Sequence, residues 1–303
     1  MNLISINDLE KDFIEEIFSK TSLLKEGRVS GKKPLSGKTL ALIFEKPSNR
    51  TRVSFEVAMF QLGGYTIYLG QDDIQLGLRE PVKDVGKVLS RYVDGIVVRT
   101  FAHERVSEMA EYSDVPVING LSDRLHPCQV LSDIYTIREK MGNRKVKVAF
   151  VGDGNNVAHS WLYASAKVGF DLAIATPPGY EPLQEIVQEA LEMAKKTGSK
   201  IEVLTDAIEA VRGADIVYTD VWASMGKEKE KEKRKKTFHN FRVTGGLIKK
   251  TGKDTLVMHC LPAHRGEEIT GDVIDGPASV VFDQAENRLH VQKAILLLLI
   301  GGQ

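Results

Sequence analysis

Short apolar runs bounded by turn residues recur along this chain, with helix-patterned stretches between them. Thr39-Leu40-Ala41-Leu42-Ile43-Phe44 is continuous and apolar, and a loop then leads into a helical stretch from about Arg50 to Leu62. Gly63-Gly64 stops that helix, and Tyr65-Thr66-Ile67-Tyr68-Leu69 reads as the next strand. Gly95-Ile96-Val97-Val98-Arg99 and Val115-Pro116-Val117-Ile118 continue the series. A long helix follows from Pro127 to about Met141, with Val130, Leu131, Ile134, Tyr135 and Ile137 on its apolar side. A second series comprises Lys147 to Val151, Leu172 to Ala175, Ile216 to Tyr218 and Leu256 to Met258.

Strands apolar on both faces and alternating with helices predict parallel sheets. The fold class is therefore α/β: two doubly wound domains with mainly parallel sheets, linked by interdomain helices. The break at Met141-Gly142-Asn143-Arg144 places the boundary between domains 1–141 and 142–287. A terminal helix from about Arg288, within 288–303, is expected to return and pack on the first half. The length, 303 residues, fits two domains of ~150 residues each.

In such sheets ligands bind beyond the carboxyl ends of the strands, so the residues after each strand carry the chemistry. Glu45-Lys46-Pro47-Ser48-Asn49-Arg50-Thr51-Arg52 follows the first strand and opens a helix. Free N–H groups at a helix start, a favourable dipole and two arginines suit a phosphate. A capped helix with surface arginines is the plainer reading of the same residues. Arg99 ends another strand, and His126-Pro127-Cys128-Gln129 opens the long helix, where Pro127 fits the first helical position. Donors there can polarise a carbonyl oxygen, although a His before a helix is commonly just a cap.

In the second half, Gly152-Asp153-Gly154-Asn155-Asn156-Val157 resembles the start of a dinucleotide fingerprint, with Val157 where the third glycine belongs. The following strand ends in Thr176-Pro177-Pro178, and Asp171 lies at its beginning, the wrong end for a ribose ligand. A nicotinamide cofactor is therefore not expected, nor is any other cofactor or metal. Asp220, in Tyr218-Thr219-Asp220, can pair with an amino-acid ammonium; a strand-terminating Asp is the alternative. Cys260, in His259-Cys260-Leu261-Pro262, reads alone as a small buried hydrophobe.

Composition narrows the classes. Lys+Arg and Asp+Glu both number 41, and that balance argues against a nucleic-acid binder. Two cysteines make neither a disulfide framework nor a cysteine-rich zinc site. The start, Met1-Asn2-Leu3-Ile4-Ser5, lacks a signal-peptide pattern, and the apolar run Ala294 to Ile300 falls short of the ~20 residues that span a bilayer. The expectation is a soluble, cytoplasmic protein without membrane or nucleic-acid partners. Lys227 to Lys236, KEKEKEKRKK, reads as a solvated loop flank.

Taken in order along the chain, these segments resemble the ornithine carbamoyltransferase family. Its Ser-Thr-Arg-Thr-Arg motif stands here as Ser48-Asn49-Arg50-Thr51-Arg52, with Asn49 as a departure, and its His-Pro-x-Gln motif is intact. The resemblance implies transfer of a carbamoyl group from carbamoyl phosphate to L-ornithine. By it, Ser48, Asn49, Arg50 and Thr51 bind phosphate, with Arg52 among the offsetting cations, and Arg99, His126 and Gln129 hold carbamoyl and phosphate oxygens. Gln75 reaches a neighbouring subunit's site, which implies a homotrimer or an assembly of trimers. Asn156, Asp220, Ser224 and Met225 match the ornithine positions, and Cys260, Leu261 and Arg288 complete the site. Catalytic roles then fall to Cys260, Arg99, His126 and Asp220, and a lid role for the Ser224-Met225-Gly226 turn is likewise implied.

Overall fold

Parallel strands hydrogen-bonded on both sides and covered on both faces leave no polar edge to satisfy, so the central runs are almost wholly apolar. The computed structural model describes residues 1–27, 33–223 and 230–301. Along the chain come α1 (Lys11–Lys25), β1 (Thr39–Phe44), α2 (Asn49–Leu62), β2 (Tyr65–Gly70), α3 (Gln71–Ile74), α4 (Val82–Leu89), β3 (Gly95–Arg99), α5 (His103–Tyr112), β4 (Val117–Leu121) and α6 (Pro127–Met141). There follow β5 (Lys147–Val151), α7 (Asn156–Val168), β6 (Asp171–Ala175), α8 (Gln184–Thr197), β7 (Ile201–Leu204), α9 (Ala207–Val211) and β8 (Ile216–Thr219). The last elements are α10 (Lys231–Thr237), α11 (Gly245–Lys249), β9 (Leu256–His259), α12 (Gly271–Ile274) and α13 (Val281–Ile300).

The chain divides into two units, Met1–Tyr135 with Glu286–Gln303, and Thr136–Ala285. Unit 1 holds a four-stranded sheet ordered β2-β1-β3-β4, and unit 2 a five-stranded sheet ordered β7-β6-β5-β8-β9. Every strand pairing within them is parallel. The α/β architecture with two parallel sheets thus matches the sequence expectation.

Central and edge strands differ as their neighbours dictate. All of β3 and β8 is buried, whereas the edge strands β2 and β7 bury at most one residue each. In unit 1, Ala41, Ile43, Ile96, Val98 and Val117 of the sheet pack with Val106 and Met109 of α5. A single Leu-to-Ala change in such a core costs about 2–5 kcal/mol. Helix ends follow local chemistry: α2 stops at Gly63, whose φ of 89° is left-handed, and the next N–H, from Gly64, closes onto the Met59 carbonyl at 2.9 Å.

Three sequence expectations need correction. β4 runs from Val117 to Leu121 rather than from Val115, because Pro116 has no N–H to give and serves only through its carbonyl, which accepts from Ile96. The terminal helix begins at Val281, not near Arg288. The charged stretch is not simply solvated: Lys231–Thr237 is helical, and Arg234 within it is only 3 % exposed. Lys227 to Lys229 of that stretch lie outside the described residues.

Candidate functional site

In each sheet the strand order reverses about one pair, β1 and β3 in unit 1 and β5 and β8 in unit 2. Open α/β sheets take their ligands beyond the carboxyl ends of such a pair. Most of the predicted residues that the structure describes lie near these strand ends.

In unit 1, Phe44 at the end of β1 lies level with Arg99 at the end of β3. The β3–β4 register shifts between Val98 and Arg99, a bulge of the kind that re-aims side chains at a sheet end. Ser48 caps α2: its backbone is extended, and its Oγ accepts the Thr51 N–H at 3.3 Å. Other first-turn N–H groups and the helix dipole favour an anion at this end. Thr51 is fully buried, and its Oγ1 accepts from Arg288 Nη2 of α13 at 2.8 Å. Asn49 is exposed at the helix start and Arg50 half-buried.

Three guanidinium groups therefore share one small region. Burial first, then Arg288 and Arg50, pushes Arg99 down to about 9. The His126 imidazole, buried ahead of α6, is pushed well below its usual range by burial, then by Arg288, Arg99 and Arg50. It is neutral at pH 7 and can donate one N–H to a carbonyl without adding charge. The Nε of Arg99 is buried with no hydrogen-bond partner among the described residues. Gln129 Nε2 donates to Asp133 Oδ1 at 2.8 Å. Because a carboxylate only accepts, that bond fixes the amide orientation. It leaves Gln129 Oε1 as a buried acceptor with no partner among the described residues. The group can thus neutralise a multiply charged anion, polarise a carbonyl and accept from an amide N–H.

Two predicted residues stand outside this arrangement. Arg52 is turned to the surface, where it pairs with Glu56 at 2.9 Å and lies 3.6 Å from the Tyr68 ring centroid. Gln75 is exposed after α3 with a left-handed φ of 45°.

In unit 2, Asp220 follows β8 and is buried. Its Oδ2 accepts from Asn155 Nδ2 at 2.8 Å, and its Oδ1 from the Val221 N–H at 2.8 Å and from Cys260 Sγ at 2.9 Å. Asn155 is also the cap of α7, where its Oδ1 accepts the Val157 and Ala158 N–H groups. Asn156, the first residue of α7, is half-buried beside it. Cys260 follows β9, and Leu261 after it takes a left-handed φ of 59° before a cis bond to Pro262. Such a φ is rare for leucine and persists only where surroundings over-determine it. Here the Leu261 N–H donates to His259 Nδ1 at 2.8 Å, which makes His259 Nε2 the donor to Glu268 Oε1 at 3.1 Å. Ser224 and Met225 lie outside the described residues.

Sequence reasoning missed Asn155, Asp133 and Glu268. The first two carried a local signal: an Asn ahead of an apolar helix, and a polar pair at i and i+4 on a buried helix. Glu268 carried none, because its burial depends on His259 and on the His264 N–H.

The dinucleotide reading fails on geometry. Gly154 donates to the Tyr180 carbonyl at 2.9 Å, and a Cβ built there would stand 2.2 Å from the Pro182 nitrogen. The close approach that a fingerprint glycine offers to a pyrophosphate is taken up by the chain's own backbone.

Residues 1–139 match the family model described as the aspartate/ornithine carbamoyltransferase carbamoyl-P binding domain. Residues 144–299 match its Asp/Orn binding domain. The chain is 52 % identical to the ornithine carbamoyltransferase of Thermococcus kodakarensis, over 99 % of this chain and 96 % of that one. It is 53 % identical to the anabolic ornithine carbamoyltransferase of Pyrococcus furiosus, again over 99 % and 96 %. The solved ornithine carbamoyltransferase from Pyrococcus furiosus superposes with a TM-score of 0.96 at 52 % identity, covering 100 % of this chain and 97 % of that one. Matched by both domain models and by full-length relatives, the chain belongs to the ornithine carbamoyltransferase family.

Proposed function

We propose that this protein transfers the carbamoyl group of carbamoyl phosphate to the δ-amine of L-ornithine, giving L-citrulline and phosphate. The observation that carries the reading is the set of Arg50, Arg99 and Arg288 around Thr51, with a neutral His126 beside them. A phosphate dianion offsets the mutual repulsion of three neighbouring guanidinium groups, and a neutral imidazole suits a carbonyl oxygen.

In this reading Ser48, Asn49, Arg50 and Thr51 hold the phosphate from the start of α2. Arg99 and His126 donate to the carbonyl oxygen as it becomes an oxyanion; one such donor is worth ~3 kcal/mol of barrier. Gln129 Oε1 accepts from the carbamoyl NH2. The δ-amine of ornithine titrates near ~10, so it must release one proton to solvent before it attacks. Asp220, with Asn156 and the resemblance-assigned Ser224 and Met225, holds the amino acid. Cys260, donating to Asp220, orients the amine. The new C–N bond forms as the C–O bond to phosphate breaks, and the departing phosphate takes the amine proton. No covalent enzyme intermediate is needed.

A homotrimer, with Gln75 serving a neighbouring subunit, fits the exposed apolar side chains Phe60 of α2 and Tyr65 of β2, 79 % and 69 % exposed. A cytoplasmic setting fits Cys128 and Cys260, neither of which is in a disulfide. Among the described residues no helix is long and apolar enough to cross a membrane. A role in arginine synthesis rests on the anabolic name of the Pyrococcus furiosus relative.

Phosphate release from carbamoyl phosphate tests the reading, with ornithine, putrescine, aspartate or N-acetylornithine supplied separately. Release with ornithine, matched by citrulline, is expected. Release with another amine only would keep the carbamoyl phosphate half and discard the ornithine half.

A further inference from the structure

The charged stretch before Phe238 holds the feature that the proposed chemistry leaves unused. Arg234, on α10, is buried to 3 % exposure in a helix otherwise rich in solvated lysines. Its Nη1 donates to Asp153 Oδ2 at 2.8 Å and to the Trp222 carbonyl at 2.8 Å. Its Nε donates to Glu230 Oε2 at 2.9 Å. The guanidinium also lies 4.8 Å from the centroid of the Tyr180 ring.

These partners come from three different strand ends. Asp153 follows β5, Tyr180 follows β6 and Trp222 follows β8. The same segments carry the amine half-site. Asn155 stands two residues beyond Asp153, Asp220 stands two residues before Trp222, and the two are joined at 2.8 Å. Gly154, between Asp153 and Asn155, is pinned under the Tyr180–Pro182 backbone with no room for a side chain. One guanidinium thus ties down the same two segments that carry Asn155 and Asp220, with Cys260 joined to Asp220.

We infer that Arg234 is a positioning residue for the amine substrate, holding the Asp153 and Trp222 segments so that Asp220 and Asn155 meet that substrate in one fixed geometry. Arg234 is assigned no contact with the substrate. A planar fork is well shaped for such bracing. One nitrogen serves two acceptors, another serves a third, and the flat face stacks on an aromatic ring. Lysine can replace the charge and the Nη1 bonds but neither the Nε bond nor the stacking. Small displacements at such distance from the chemistry are costly, because a reacting group misplaced by ~1 Å loses up to ~100-fold in rate.

The inference rests on the ornithine reading, and wild-type turnover with ornithine tests that reading separately. The experiment compares Arg234→Gln, Arg234→Lys and Asp153→Asn with wild type, well below each variant's unfolding temperature. It reads kcat, KM for ornithine, and affinity for inorganic phosphate by calorimetry. Arg234→Gln is expected to raise the ornithine KM by about tenfold or more, with phosphate affinity unchanged. Arg234→Lys is expected to recover most of that loss. If Arg234→Gln does not fold, Arg234→Lys and Asp153→Asn carry the same readouts, and both should raise the ornithine KM above wild type. A variant that melts lower yet keeps wild-type KM and kcat would make Arg234 a strut only and overturn the inference. Equal losses in ornithine and phosphate affinity would overturn it too, as damage to the whole chain.

Discussion

The two half-sites handle charge in opposite ways. In unit 1, burial first and then the crowding of Arg50, Arg99 and Arg288 depress Arg99 to about 9 and keep His126 neutral. In unit 2 the charges are answered from within: Asp220 accepts three hydrogen bonds, and Arg234 is bonded to Asp153 and Glu230. The first half-site gains most from an anion. The second is a finished frame into which a cation is added. On the proposed reading, that difference predicts that carbamoyl phosphate binds first and ornithine second.

The largest effect should come from the donor in unit 1. His126→Ala is expected to lower kcat by about 100- to 1,000-fold under saturating substrates, read as citrulline formation. An unchanged kcat would remove His126 from the reaction. Arg50→Ala should weaken carbamoyl phosphate binding by about 10- to 100-fold in calorimetry, the worth of a charge-assisted hydrogen bond. Full retention would overturn the phosphate assignment.

The contrast itself is tested by adding each ligand alone. Phosphate at about 100 times its Kd should stabilise the protein by about 2.7 kcal/mol, whereas ornithine alone should move the melting temperature little. Equal stabilisation by both would erase the distinction between the units. The phosphate arm also carries a pH sign. Burial and then Arg288 and Arg50 hold Arg99 down at about 9 in the free protein, and a bound anion should raise it again, so binding should take up a proton above that pH. Phosphate affinity should therefore fall as pH rises through about 9. A flat profile from about pH 8 to 10, where phosphate stays a dianion, would remove the proton linkage to Arg99. The smallest expected effect is at Cys260: its serine variant should raise the ornithine KM about fivefold, the scale of one neutral hydrogen bond.

The sequence made the central strands plain because parallel strands buried on both faces must be apolar throughout. It hid β7, where Glu202 interrupts an edge strand paired on one side only. It also hid the end of β4, where buried Asn119 and Gly120 do not look like strand residues. Asn119 fits there by donating to the Ile4 carbonyl, and Gly120 by lying against Val97, where a Cβ would come within 3.0 Å. In unit 1 most of the candidate site was legible because Ser48 to Thr51, Arg99, His126 and Gln129 follow strand ends in short motifs, whereas Arg288 lies within α13. Arg234 was not. Its burial is licensed by Asp153, 81 positions away, and no periodicity in KEKEKEKRKK distinguishes it from its neighbours.

The Gln129–Asp133 bond has one further consequence, for impostors. With the amide locked by Asp133, Gln129 presents only an oxygen, so it welcomes an N–H and penalises anything that cannot supply one. Acetyl phosphate has the outline and charge of carbamoyl phosphate but offers a methyl group at that place. A buried oxygen facing a methyl forfeits about 1–3 kcal/mol, a preference of roughly 5- to 150-fold. Binding of the two acyl phosphates, compared in Gln129→Met and wild type, would show whether the preference lives in that single atom.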